Sequence, residues 1–255
     1  MGSTNDANSL VTPLIPTPAF LDAVRELGVE FDPGDLERLG LYLALLLERN
    51  KITNLTAIKD PEECWMRHIL DSLTLLPLCA EVPDGGLVAD VGSGGGAPAL
   101  PLAIVEPRLR FTCIEATGKK ADFLRETALA LGLTNVEIRG DRAETLGAKS
   151  GALRDRFDLV TARALGRIVV SAELTLPLAK IGAMVALVKG ERAEEELTEA
   201  KKALHMLCAT HIATVVTPTG RIVVLEKRRP TPGMYPRRPG EPKRAPLGLG
   251  PERSK

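Results

Sequence analysis

Gly92, Gly94, Gly95 and Gly96 crowd four glycines into five positions, directly after the apolar run Leu87 to Val91 and ahead of a helical stretch reaching Ile104. Glycine at this density lets the backbone turn sharply and lets a ligand approach it, which constrains this part of the chain to a strand, a tight turn and a helix. From Gly86 onward, short β-branched or apolar runs alternate with helical stretches, the pattern of βαβ units on a parallel sheet. Seven strands are expected: Leu87 to Val91, Arg110 to Glu115, Val136 to Arg139, Phe157 to Thr161, Ala183 to Val188, His211 to Val216 and Ile222 to Glu226. Only Thr217, Pro218, Thr219 and Gly220 join the last two, too few residues for a crossover helix, so that pair is antiparallel.

The part before the sheet reads differently. Residues 1–18 are rich in Ser, Thr, Asn and Pro and are expected to form a flexible leader. Residues 19–83 read as a helical extension. Leu36, Leu39, Leu43, Leu46 and Leu47 recur at helical steps as a packed face, and Asp60, Pro61 and Glu63 form the start signal of a second helix running toward Pro77. On that helix His68 and Asp71 share one face, which is expected to make a helix-packing hydrogen bond, and Trp65 is expected in the same core.

Lys plus Arg and Asp plus Glu balance at 33 each, but residues 227–255 hold nine basic against two acidic side chains, together with seven prolines. Residues 229–255 therefore read as a basic, extended tail that either packs over the body or meets a polyanion. Cys64, Cys79, Cys113 and Cys208 show neither CxxC spacing nor neighbouring His, so no metal site or disulfide framework is expected and the thiols read as those of a cytoplasmic protein. The longest apolar run, Leu39 to Leu47, is too short for a bilayer crossing, so no membrane association is expected.

The glycine-rich turn alone leaves the bound nucleotide open, because Gly92, Gly94 and Ala97 also satisfy the dinucleotide pattern G-x-G-x-x-A, with Glu115 at 23 residues' distance. Three features favour S-adenosylmethionine. Asp90 precedes the glycines in an arrangement that resembles motif I of class I methyltransferases. Glu115 ends the second strand, where a carboxylate can accept bonds from both ribose hydroxyls. Gly140 to Glu144 resembles the loop that frames adenine in the same superfamily.

More specific is the order of NLT at Asn54, RHILDSL at Arg67, DVGSGGGAPALPLAI at Asp90, the Lys119–Lys120 pair, RAE at Arg142, ARA at Ala162, Lys189-Gly190 and the terminal YPRRPGEPKRAPL. Together these resemble the RsmG (GidB) family across residues 35 to 247, with Ala97, Ala99 and Glu115 departing from its usual pattern. The resemblance implies a class I S-adenosylmethionine-dependent methyltransferase fold, Rossmann-like and α/β, with a seven-stranded sheet whose last strand is antiparallel, here over residues 84–228. It implies methylation of N7 of one guanine in 16S ribosomal RNA, in the small subunit or an assembly intermediate. It also implies that Asp90, Gly92, Gly94, Ala97, Glu115, Ala116, Thr117, Ala143, Glu144 and Arg163 hold the cofactor, with Arg163 facing its methionine end and the incoming base.

RNA contacts are expected at Lys119, Lys120, Lys189, Arg228, Arg229, Arg237, Arg238 and Lys243. N7 of neutral guanine already presents a lone pair, so positioning is expected to dominate and no catalytic acid or base is assigned, Arg163 being a candidate for positioning. Two rivals remain at this level: an NAD-dependent oxidoreductase, and a non-catalytic ribosome assembly factor on the same fold. Nothing in the sequence demands a dimer, and a monomer is expected.

Overall fold

The computed structural model describes residues 11–249; residues 1–10 of the expected leader and 250–255 of the tail lie outside the described residues. Thr17 caps the first helix, its hydroxyl accepting from Phe20 N at 3.2 Å, with proline in the first turn of α1 (Pro18–Glu26). Residues 11–17 pass α2 (Asp35–Asn50), where Leu14 N donates to Gly40 O at 3.1 Å. A Cβ at position 40 would stand 2.2 Å from Leu14 O, so this part of the expected leader is held against the body. Leu39, Leu43 and Leu46 are fully buried, as their helical spacing predicts.

Asp60 caps α3 (Pro61–Cys64) by accepting from Glu63 N at 2.9 Å. Beyond it the helix is not uniform. Trp65–Leu70 is π-helical and leads into α4 (Asp71–Leu73). After a turn at Thr74 and Leu75, α5 (Leu76–Ala80) carries Pro77 in its own first turn, where a missing N–H is tolerated, so the proline starts a helix and does not end one.

The sheet region runs β1 (Leu87–Val91), α6 (Ala99–Val105), β2 (Arg110–Ile114), α7 (Gly118–Ala130), β3 (Val136–Arg139), α8 (Ala143–Leu146), β4 (Phe157–Arg163), α9 (Ile168–Thr175), β5 (Ala179–Lys189), α10 (Ala193–Met206), β6 (Ala209–Thr217) and β7 (Gly220–Lys227), and α11 (Glu241–Arg244) lies in the tail. Spatial order is β3-β2-β1-β4-β5-β7-β6, with β7 antiparallel to both of its neighbours. This is the α/β arrangement of a class I methyltransferase. The order reverses between β1 and β4, and the crevice at their carboxyl ends is where such sheets bind ligands.

Alternation along the strands divides the interior in two. In β7, Ile222 and Val224 join the core shared with α1, α2 and α6, whereas Val223 and Leu225 join the core shared with α9 and α10. The N-terminal helices thus bury their faces in the same core as one side of the sheet, Phe20 and Trp65 meeting there with ring centroids 4.6 Å apart.

Candidate functional site

The glycine-rich turn is fastened to the next strand. Gly92 N donates to Ile114 O at 2.8 Å, and Gly94 N to Glu115 Oε2 at 3.0 Å. Gly92 sits at φ +75°, where a side chain is strained. Gly95 is needed for a different reason, since a Cβ there would stand 2.9 Å from Leu46 Cδ1. Tyr42 Oη donates to Gly95 O at 2.9 Å, so α2 supports the turn from behind.

Two carboxylates accompany the turn. Glu115 accepts from Gly94 N on one oxygen and from Thr117 N, at 2.7 Å, on the other, and each oxygen keeps a further acceptor site. Asp90 is buried; its Oδ1 accepts from Thr161 Oγ1 at 3.0 Å, while Oδ2 has no hydrogen-bond partner among the described residues. Burial pushes the Asp90 carboxyl up to about 6, against the opposing pull of the nearby Ser93 hydroxyl, the Thr161 bond and the Arg163 charge.

A cavity of about 720 Å³ opens at these strand ends. Of the residues expected to hold a cofactor, Gly92, Glu115, Ala116, Thr117, Ala143 and Glu144 line it. Asp90, Gly94, Ala97 and Arg163 are not among the lining residues: Asp90 and Gly94 support the turn from within, and Ala97 is buried. The cavity also takes Lys120 and Lys243, both expected as RNA contacts. Sequence reasoning missed Ala164 to Arg167, Val170 and Leu174 on the β4 side, and Gly240, Pro242 and Pro246 from the tail. The position of the first group directly after a central strand was the available signal. Ala164 is itself in the left-handed region at φ 54°, which costs a non-glycine residue of order 1–3 kcal/mol.

Arg163, expected at the cofactor's methionine end, is engaged by the N-terminal helices. Its guanidinium donates to Arg67 O at 2.6 Å, to Asp71 Oδ2 at 3.2 Å and to His68 Nδ1 at 3.1 Å, so it faces the N-terminal helices. Asp71 also accepts from Thr219 Oγ1 at the β6–β7 tip. Burial, aided by the Arg163 and Arg67 charges, lowers His68 to about 3. The ring is neutral, and with Nδ1 accepting, Nε2–H donates to Thr56 Oγ1 at 3.0 Å. The pair expected to make a packing hydrogen bond thus joins two helices, a strand end and a hairpin.

The expected RNA contacts separate into two groups. Lys119, Arg229, Arg238 and Lys243 are exposed, as is Arg228, which pairs with Glu226 at 2.9 Å. Lys189 is turned inward, its amine bonded to Glu196 Oε2 at 2.9 Å and to Gly166 O. Arg237 forms a fork on Glu173, Nε to Oε1 at 2.9 Å and Nη2 to Oε2 at 2.6 Å, and Glu173 has no exposed side-chain surface. In both, the basic side chain is held by a nearby acid, fully buried for Arg237 and half-buried for Lys189.

S-adenosylmethionine presents an ammonium group, two ribose hydroxyls and an adenine. The cavity answers with spare acceptor sites on Glu115 and a wall of Val170, Leu174, Pro242 and Pro246, and behind the glycine-rich turn Asp90 keeps an unpartnered buried acceptor, so the residues fit the group. Comparison with known proteins agrees. The chain is 51% identical over 226 residues to a protein of Sorangium cellulosum named ribosomal RNA small subunit methyltransferase G, covering 89% of this chain and 94% of that one. It is 41% identical over 241 residues to the protein of the same name from Deinococcus radiodurans, covering 91% and 94%. A crystal structure of a Corynebacterium glutamicum protein shares the fold at 16% identity, with a TM-score of 0.53 over 83% of this chain and 97% of that one. The profile of the GidB family, described as rRNA small subunit methyltransferase G, matches residues 35–223, and the chain belongs to that family.

Proposed function

We propose that this chain transfers a methyl group from S-adenosylmethionine to N7 of a guanine in 16S ribosomal RNA, acting as a monomer in the cytoplasm on the small subunit or an assembly intermediate. The observation that carries the proposal is the cavity at the carboxyl ends of β1, β2 and β4, edged by Gly92 and Glu115, within the stretch matched by the family. When bound, S-adenosylmethionine supplies an electrophilic methyl group for in-line displacement.

The chain's own residues bind and orient. Glu115, held rigid by two backbone amides, takes the ribose hydroxyls, with Ala116 and Thr117 beside it. Ala143 and Glu144 border the adenine. Asp90 and the turn from Gly92 through Gly94 to Ala97 serve the amino-acid end. Arg163 acts through the helix bearing Arg67, His68 and Asp71, holding it at the strand end. Lys119, Lys120, Arg228, Arg229, Arg238 and Lys243 meet the RNA.

Guanine N7 needs no deprotonation, which suits a cavity whose two glutamates are already engaged: Glu115 by Gly94 and Thr117, Glu144 by Gly240 N at 2.9 Å. Positioning then carries the rate. The test incubates the protein with methyl-labelled S-adenosylmethionine and small subunits from cells lacking this gene, then applies borohydride and aniline, which cut at N7-methylguanosine. A single cut is expected. Label without scission rejects N7, and absence of label despite S-adenosylhomocysteine binding rejects turnover on that substrate.

A further inference from the structure

The cavity has a wall that the family profile does not reach. The profile ends at residue 223, yet Gly240, Pro242, Lys243 and Pro246 line the cavity together with Gly92 of the glycine-rich turn. These residues are seated by contacts on both sides. Before them, Arg237 donates through its backbone N, Nε and Nη2 to Glu173 of α9, at 2.9, 2.9 and 2.6 Å. At their start, Gly240 N donates to Glu144 Oε1, joining the tail to an acid that itself lines the cavity. Behind them, Tyr235 and Leu247 are buried in the core shared with α9 and α10. A bidentate guanidinium–carboxylate fork fixes orientation as well as distance, so the tail is placed and not merely draped.

Resting on the methyltransferase reading above, we infer that residues 240–246 are a built wall of the S-adenosylmethionine site, and that Glu173 and Arg237 are the positioning residues that seat it. Glu173 lies inside α9, far from the glycine-rich turn in sequence, and reaches the tail through Arg237 without lining the cavity itself. Removing one member of the pair leaves a charge without its partner, so the pair is best removed whole.

The experiment titrates S-adenosylhomocysteine into the full chain by calorimetry and compares the wild type with Glu173→Leu/Arg237→Leu. The dissociation constant is expected to rise by about tenfold or more, with the kinetic loss falling on KM for S-adenosylmethionine and not on kcat. Arg237→Lys keeps the charge but not the fork and should fall between the two. Pro242→Gly/Pro246→Gly loosens the wall and leaves the Arg237–Glu173 pair intact; it should weaken binding likewise and decides the matter if the leucine pair fails to fold. A folded leucine pair, or failing that the glycine pair, that binds within about twofold of wild type overturns the wall. A wild-type chain that does not bind S-adenosylhomocysteine overturns the methyltransferase reading and the wall with it.

Discussion

On the β1 side of the cavity, the contacts of Glu115 run between residues near in sequence or on adjacent strands: Gly94 N reaches it across 21 positions, and Thr117 N across two. On the tail side they run between residues remote in the chain, Arg237 meeting Glu173 across 64 positions and Gly240 meeting Glu144 across 96. One wall follows from turn chemistry and strand order. The other depends on which carboxylate an arginine finds once the whole chain has folded. The same cavity therefore combines a locally determined half with a globally determined one, and the two halves should respond differently to substitution.

The largest effect is expected at Gly92→Val. A β-branched residue at φ +75° is a strong outlier, and its Cβ would meet Leu165 Cδ1 at 2.6 Å. S-adenosylhomocysteine affinity should fall by about a hundredfold or more, measured by calorimetry. Retained binding would break the comparison, because the glycine wall would then be as replaceable as a distant contact.

Asp90→Asn should act in two opposing directions. Burial holds the native carboxyl at about 6, whereas an unfolded chain titrates near 4, so between those values the native state binds the proton more tightly and stability falls as pH rises. The asparagine lacks this slope. Without ligand it should be the more stable protein at pH 8, by roughly 1–3 kcal/mol at 1.4 kcal/mol per pKa unit, while binding S-adenosylhomocysteine more weakly. Urea midpoints at pH 4, 6 and 8 for both proteins check this, and parallel pH profiles would show that the buried carboxylate is not held ready for a ligand.

Arg238→Ala should have the smallest effect. It is exposed beside the Arg237 fork, so its loss should lower the salt dependence of RNA binding by about one unit of log slope per phosphate contact and leave S-adenosylhomocysteine binding as it was. Weakened cofactor binding in this variant would mean that the charge of the tail, and not its seating, shapes the wall.

The legible parts of the molecule are those where period and spacing decide. All seven strands lie where alternation places them, β5 starting earlier than expected because Lys180, Ile181 and Gly182 are exposed and interrupt the apolar run. That Glu115 would stand at the cavity was legible, because a strand end after a glycine-rich turn leaves few alternatives. Arg163, Lys189 and Arg237 were read alike from the sequence as cations awaiting a ligand. A sequence shows their charge but not the acid within reach, and each pairs with one: Asp71, Glu196 and Glu173. The π-helical segment at Trp65–Leu70 had no composition signal either, since it brings His68 and Asp71 onto Arg163 through tertiary contacts alone.

The seating of the tail has a consequence for reading the gene. A stop codon after codon 236 leaves all seven strands and residues 35–223, the stretch matched by the family profile, intact, so the allele would be scored as full by that profile. Its product would lack Arg237, Gly240, Pro242, Lys243 and Pro246. Such an allele should behave as a hypomorph rescued by raising the intracellular supply of methyl donor, unlike a lesion at the glycine-rich turn, which no supply would restore.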